Sequence, residues 1–297
     1  MAGVLAANTK TPSPDPELGI EADEYDDNDS ALGNLQSSTT SISSSDRLDL
    51  QHHFFTLTFD GKLFICNVDK GEKQVYRVLD AGCGTGIWAI DFADEHPDAE
   101  VPGIDLSPIQ PAFIPPNATF VVDDLEQEWA FSNKFDFIYM RMLSASILDF
   151  PAMFKNSFEN LNPGGYIELA DKCLPMLSDD GSLLPTSALQ QWSDFTIEGT
   201  SEVGRSITAA SEYKKQPEEA SFINVVETGT NGRQTPGQKI QRLWTYENLA
   251  PGLEGFSLGL FTRVKGWKKV RNDMNDRKIH AYLPIYVASG QKPPEEP

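Results

Sequence analysis

One stretch constrains the fold more than any other: Val78-Leu79-Asp80-Ala81-Gly82-Cys83-Gly84-Thr85-Gly86-Ile87-Trp88. The apolar run Val75–Asp80 ends in an acid and meets three closely set glycines, and the stretch that follows, Ile87–Glu95, has helical spacing. A strand that turns over glycines into a helix opens an α/β unit that brings backbone close to a ligand. Glycine alone takes positive φ without steric cost and carries no Cβ to stand in the way. The helix start then offers free N–H groups to a charged or polar ligand group.

The chain beyond this loop keeps alternating. Strands are predicted at Glu100–Asp105, Thr119–Val122, Phe135–Tyr139 and Gly165–Ala170, with helical stretches near Ile109 and over Pro151–Asn160 and a turn at Asn162-Pro163-Gly164-Gly165. Strands joined by crossover helices predict an α/β fold with a parallel sheet covered by helices on both faces. Two later strands, Phe222–Glu227 and Ala281–Ser289, are separated by a long insertion. Ahead of the glycines, Leu48–Phe55 predicts a short helix. Thr56–Phe59 and Leu63–Cys66 flank Asp60-Gly61 and predict a hairpin, since that dipeptide is a strong two-residue turn signal.

Spacing narrows the ligand. A dinucleotide fingerprint starting at Gly82 needs its third glycine at position 87, which is Ile87, and no lysine follows as a phosphate-gripping loop requires. The remaining pattern, from Asp80 to Gly86, suits a nucleoside whose charged end is an amino acid, namely S-adenosylmethionine. Asp105 closes the second strand 19 residues after Gly86, where a carboxylate can accept hydrogen bonds from ribose hydroxyls. Asp123-Asp124 close the third, where a carboxylate can take an adenine amino group and the next backbone N–H a ring nitrogen.

Charge excludes one class of partner. Lys and Arg number 24 against 44 Asp and Glu, a net charge of −20, so direct nucleic-acid binding is not expected. Residues 1–46 hold nine acids, one base and a Ser/Thr tract, and read as a disordered acidic Ser-rich tail, either merely solvated or an arm for phosphorylation or a protein partner. Cys66, Cys83 and Cys173 form no C-x-x-C pair and predict reduced thiols rather than a metal site. With no long apolar run and no signal-like start, the expectation is a cytoplasmic or nuclear protein, neither membrane-spanning nor secreted.

Several segments resemble the fungal LaeA-like methyltransferases, within the seven-stranded class I methyltransferase superfamily. They are Asp80–Gly86, Gly84–Asp91, Asp105–Pro111, Phe135–Ile138, Leu161–Glu168, the Gln51–Leu63 stretch and His280–Tyr286. The resemblance spans about residues 47–292. It implies a Rossmann-like sheet ordered 3-2-1-4-5-7-6 with the last strand antiparallel. It also implies that Asp80, Gly82, Gly84 and Gly86 hold the methionine end of the cofactor, Asp105 the ribose, and Asp124 with Leu125 the adenine. Family members act in fungal secondary metabolism, some as regulators associated with velvet-domain proteins. The expected division is a cap of helix and hairpin at 47–74, then the catalytic domain at 75–292 with an acceptor-side insertion about 172–280. Between about Tyr213 and Tyr246 the chain departs from the family pattern, at Gln216-Pro217 and Asn231–Gly237.

Methyl transfer from a sulfonium needs a base only where the acceptor is protonated, and no residue stands out as one. Candidates are His52 and His53, which precede the expected hairpin and would cap the acceptor side, Tyr139 with Arg141 after the fourth strand, and Asp171 after the fifth. His96, His280 and Tyr282 read as structural or solvated. Trp192, Phe195, Trp244, Phe256, Phe261 and Trp267 would line an apolar acceptor pocket or simply pack the core, and Lys265, Lys268, Lys269 and Arg271 read as a solvated helix face. The preferred reading is an S-adenosylmethionine-dependent methyltransferase acting on a small molecule. The alternative is a regulator acting through protein partners.

Overall fold

The computed structural model describes residues 43–69, 74–229 and 267–295. Its centre is a seven-stranded sheet in the order β3-β2-β1-β4-β5-β7-β6. The strands are β1 Val78–Ala81, β2 Val101–Asp105, β3 Ala118–Val122, β4 Phe135–Arg141, β5 Leu161–Lys172, β6 Ile223–Gly229 and β7 Ile285–Gln291. β1 to β5 pair in parallel, while β7 runs antiparallel to both β5 and β6. The expected order and the reversed last strand are both present.

Burial explains the centre. β1 is buried at every position and β4 at all but its last, as strands covered on both faces must be. On one face lie α1 (Ser44–Thr58) and α2 (Ile87–Glu95), which buries Trp88, Ala89, Phe92 and Ala93 at helical spacing against Phe137 and Tyr139. On the other lie α3 (Phe150–Asn160), a 3-10 turn at Ala209–Glu212 and α5 (Lys215–Glu219), with Phe150, Phe154 and Tyr213 against Ile138 and Met140. α4 (Ala188–Glu202) and α6 (Trp267–Asn275) form a satellite cluster through Leu189, Trp192 and Val270.

The expected hairpin is not formed. α1 continues through Thr58, and Asp60 and Gly61 take φ of 55° and 84° to end the helix, with Gly61 N–H donating to Thr56 O at 2.8 Å. Left-handed residues serve a helix C-terminus as well as a two-residue turn. Phe54, Phe55 and Phe59 are buried with Ala170, Ile285 and Val287, so packing favoured the helix. The helix also begins earlier than expected. Ser43 caps it reciprocally with Asp46, at 3.1 and 3.2 Å, so the last residues assigned to the tail are helical, while residues 1–42 lie outside the described residues.

Three further expectations change. Pro108, Pro111, Pro115 and Pro116 keep the β2–β3 crossover irregular, with no helix near Ile109. The turn at Asn162–Gly165 is an excursion within β5, which pairs at Leu161 with Phe135 and resumes at Tyr166 with Phe137. The strand expected at Phe222–Glu227 is present as β6, whereas the last strand starts at Ile285 and Tyr282 makes an isolated bridge to Leu177 ahead of it.

Candidate functional site

The loop after β1 is drawn tight by the strands beside it. Gly82, Gly84 and Gly86 have φ of 79°, 56° and 78°. The N–H groups of Gly82 and Cys83 both donate to Ile104 O, at 2.8 and 2.9 Å, and Gly84 N–H donates to Asp105 Oδ2 at 2.8 Å. A Cβ on Gly82 would stand 2.5 Å from Leu143, and one on Gly86 would stand 2.3 Å from Phe120. Those two sites therefore exclude a side chain by contact as well as by φ. Gly86 begins α2 with no capping side chain, which leaves first-turn N–H groups for another acceptor.

The four expected acids lie at neighbouring strand ends. Asp80 is the next-to-last residue of β1 with 3% of its surface exposed, and its Oδ2 is buried without a hydrogen-bond partner among the described residues. Burial pushes its carboxyl up to about 7, against the pull of the Arg141 cation. Asp105 ends β2, and its Oδ1 accepts from Ser107 N–H at 2.9 Å. Asp123 N–H donates to Asp105 O at 3.1 Å, so the β3 end lies against the β2 end. Asp124 accepts from Glu126 N–H at 2.9 Å, and Leu125 is buried behind it with its carbonyl taking the Trp129 indole N–H at 2.9 Å.

α1 closes over this loop. Leu48 lies 3.5 Å from where a Gly84 Cβ would be, Thr85 Oγ1 donates to Asp49 Oδ1 at 2.7 Å, and buried His52 reaches both α2 and β4. His52 Nδ1 lies 3.1 Å from the Arg141 guanidinium and Nε2 lies 2.9 Å from Asp91 Oδ2. Because a guanidinium can only donate, Nδ1 must accept and the ring proton sits on Nε2, directed at Asp91. Both ring nitrogens are thus engaged, which leaves His52 no lone pair for a substrate proton. His53 is on the exposed side of the same helix.

The other candidates separate by face. Tyr139 is fully buried and stacks on Trp88 at 4.1 Å between centroids, and burial pushes its phenol well up. Asp171 faces the opposite side of the sheet, where it accepts from Leu143 N–H and Ser144 N–H, each at 3.2 Å, and from Tyr213 Oη at 2.7 Å. Burial raises its carboxyl to about 6. It thereby clamps the loop after β4, where Met142 and Ala145 hold φ of 59° and 62°, and which presses Leu143 onto Gly82. His96 stacks on Phe92, His280 pairs with Asp180 at the surface, and Tyr282 Oη donates to Asp179 at 2.8 Å. Trp192 is buried in the satellite cluster and Phe195 is 37% exposed. Trp244, Phe256, Phe261, Lys265 and the Trp267 side chain lie outside the described residues.

Asp49, Asp91, Gln110, Phe120 and Tyr213 complete the site and were not singled out from the sequence. Gln110 Nε2 donates to Gly84 O at 2.7 Å and fixes the middle of the loop. The one available signal was the helical spacing of Asp49, His52 and Phe55. Deeper on the α1 face, Glu168 accepts from Ile65 and Cys66 N–H, the latter at 2.6 Å, with burial raising it to about 7. Lys172 sits 5.0 Å from the Phe54 ring centroid, and burial pushes its ammonium well down. Among the described residues, no group of three His, Cys, Asp or Glu is placed to hold a metal.

Comparison with known proteins gives the family and the fold. A family described as a methyltransferase domain matches residues 50–227. The methyltransferase pytC of Aspergillus terreus is 34% identical over 264 residues, covering 84% of this chain and 80% of its own. The secondary metabolism regulator LAE1 of Cochliobolus heterostrophus is 34% identical over 266 residues, covering 84% and 87%. Among solved structures, phosphoethanolamine N-methyltransferase 2 of Haemonchus contortus, in complex with S-adenosyl-L-methionine, has a similar fold. Its TM-score is 0.50 at 20% identity, over 86% of this chain and 58% of that one. The chain belongs to the fungal LaeA-like family of methyltransferases.

Proposed function

We propose that the chain binds S-adenosylmethionine and methylates a small molecule of fungal secondary metabolism. The observation that carries this reading is the buried, unpartnered Oδ2 of Asp80 at the foot of the Gly82–Gly86 loop, in line with Asp105 and Asp124 at the next two strand ends. A buried carboxylate oxygen without a donor invites a cationic or hydrogen-bonding ligand group. The cofactor's ammonium would meet Asp80, its ribose hydroxyls Asp105, and its adenine Asp124 and the Leu125 backbone.

When bound, the cofactor supplies a methyl group on a sulfonium that leaves without acid assistance. The chain's part is alignment and exclusion of water, worth about 7–11 kcal/mol for well-positioned reactants. α1 covers the loop through Leu48 and Asp49, and the Asp171–Tyr213 clamp fixes the wall after β4. His52 and Asp171 are fully engaged in holding structure, so the acceptor is best read as a nucleophile that needs no protein base or that brings its own.

A regulatory role is the second reading, supported by the likeness to LAE1 over nearly its whole length and by the acidic Ser-rich stretch before α1. The proposed location is cytoplasm or nucleus, and no helix among the described residues is long and apolar enough to cross a membrane. The test is transfer of labelled methyl from S-adenosylmethionine to the small-molecule fraction of the producing fungus. Label in an extractable metabolite supports the enzyme. Label confined to protein, or none with folded chain, overturns it.

A further inference from the structure

Two groups of opposite charge stand near one another on the α1 face of the sheet without being bonded. Asp80 is next to last in β1, and its register partner on β4 is Tyr139, so Arg141, two residues further along β4, projects from the same face beyond it. Among the described residues the Asp80 Oδ2 has no hydrogen-bond partner. The Arg141 guanidinium is packed between the Phe55 and Tyr139 rings, 5.3 and 6.0 Å from their centroids. It donates to His52 Nδ1 at 3.1 Å and lies near the Tyr139 hydroxyl, and among the described residues no carboxylate lies within ion-pair distance of it. A guanidinium carries five N–H donors, so most of this one remains to be used.

A ligand that completes both groups carries an ammonium and a carboxylate close together, which is the chemistry of an α-amino acid. Resting on the cofactor reading above, we infer that Arg141 is the receptor for the α-carboxylate of the cofactor's methionine end, opposite the ammonium at Asp80. His52 and Asp91 are positioning residues. His52 takes one Arg141 N–H and is itself fixed by its Nε2–H bond to Asp91, at 2.9 Å. The guanidinium fork is thereby aimed with little freedom left, and a bidentate contact needs such aim. The chain is strongly acidic, which makes a half-buried cation at the loop the natural place for the ligand's one anionic group.

The test is a double-mutant cycle in which one partner is the ligand. Full-length wild type and Arg141→Met are titrated with S-adenosylmethionine and with its decarboxylated analogue, which keeps the amine and loses only the carboxylate. Wild type is expected to bind the analogue on the order of 10- to 100-fold more weakly. In Arg141→Met that ratio should fall to within about threefold, because the charge that reads the carboxylate is gone. Arg141→Lys, which keeps charge without the fork, should lie between and serves should the methionine variant fail to fold. His52→Leu should lose part of the discrimination, and His52→Asn, which still offers an acceptor to Arg141, should restore it.

A ratio unchanged by Arg141→Met would place the carboxylate elsewhere and overturn the assignment. So would a wild type that binds both ligands equally, or an Arg141→Met defect seen only in the KM for the acceptor, which would move the carboxylate to the acceptor. Failure of wild type to bind S-adenosylmethionine at all would instead sink the cofactor reading, so the two failures are distinguishable.

Discussion

Asp80 should make cofactor binding a proton-linked event. With burial holding its carboxyl up at about 7, about three-quarters of free molecules carry a proton there at pH 6.5. An ammonium placed against Oδ2 stabilises the ionised form and returns the carboxyl toward its ordinary range near 4. Binding at pH 6.5 should therefore release about 0.7 proton per ligand. At pH 8 the sign reverses: Asp80 is already ionised, whereas roughly half of the ligand's amino groups must gain a proton. Calorimetric titration in two buffers of different ionisation heat reads the exchange directly. Asp80→Asn should bind about 10- to 100-fold more weakly and release no proton at pH 6.5. Wild type exchanging no proton at pH 6.5, or Asp80→Asn exchanging as much as wild type, would show that Asp80 does not meet the ammonium.

Other predictions concern the supports of the site. Gly86→Ala meets both a φ of 78° and a 2.3 Å overlap with Phe120, and should cost about 2–5 kcal/mol in urea unfolding. Adding Phe120→Ala should relieve part of that, so the double variant is less destabilised than the sum. Tyr213→Phe removes a buried donor at 2.7 Å from Asp171 and should cost about 1–3 kcal/mol. Asp171 is raised in the fold from 3.8 to about 6, so its contribution is fully present below pH 4 and is lost as pH rises through 6. Without the tyrosine hydroxyl that loss should extend to higher pH, which unfolding midpoints between pH 5 and 8 would show. Ser43→Ala removes the cap of α1 and should lower stability by about 1 kcal/mol in thermal unfolding, while weakening cofactor binding because α1 lies over the loop.

How much was legible in the sequence depended on the range of the force involved. The glycine loop, α2 and the acids at the strand ends are set by local pattern, and the helix Ile87–Glu95 matches residue for residue. The hairpin failed because Asp60-Gly61 suits two local outcomes, and the choice was made by Phe54 and Phe55 packing against Ala170, Ile285 and Val287, distant in the chain. Ser43 looked like one more serine in a low-complexity tract until its bond to Asp46 made it a cap. Asp171 looked like a cleft carboxylate because the sequence puts it just past the fifth strand, whereas β5 runs on to Lys172 and holds it inside. Strand parity sends it to the other face, and its partner Tyr213 lies 42 residues away. The link from His52 to Asp91 and Arg141 joins three elements and left no mark in any one of them.

The claim on which everything else rests is that the Gly82–Gly86 loop and the adjoining acids bind S-adenosylmethionine. Titrating S-adenosylmethionine into the full-length chain, with Gly84→Asp and Asp105→Ala alongside, tests it most directly. Gly84→Asp brings a carboxylate beside Asp105, to which Gly84 N–H now donates at 2.8 Å, and Asp105→Ala removes that carboxylate. The expected result is one site per chain, with affinity in the micromolar range, and binding abolished by the first substitution and at least tenfold weaker with the second. No binding by folded wild type, or equal binding by all three proteins, would contradict the account.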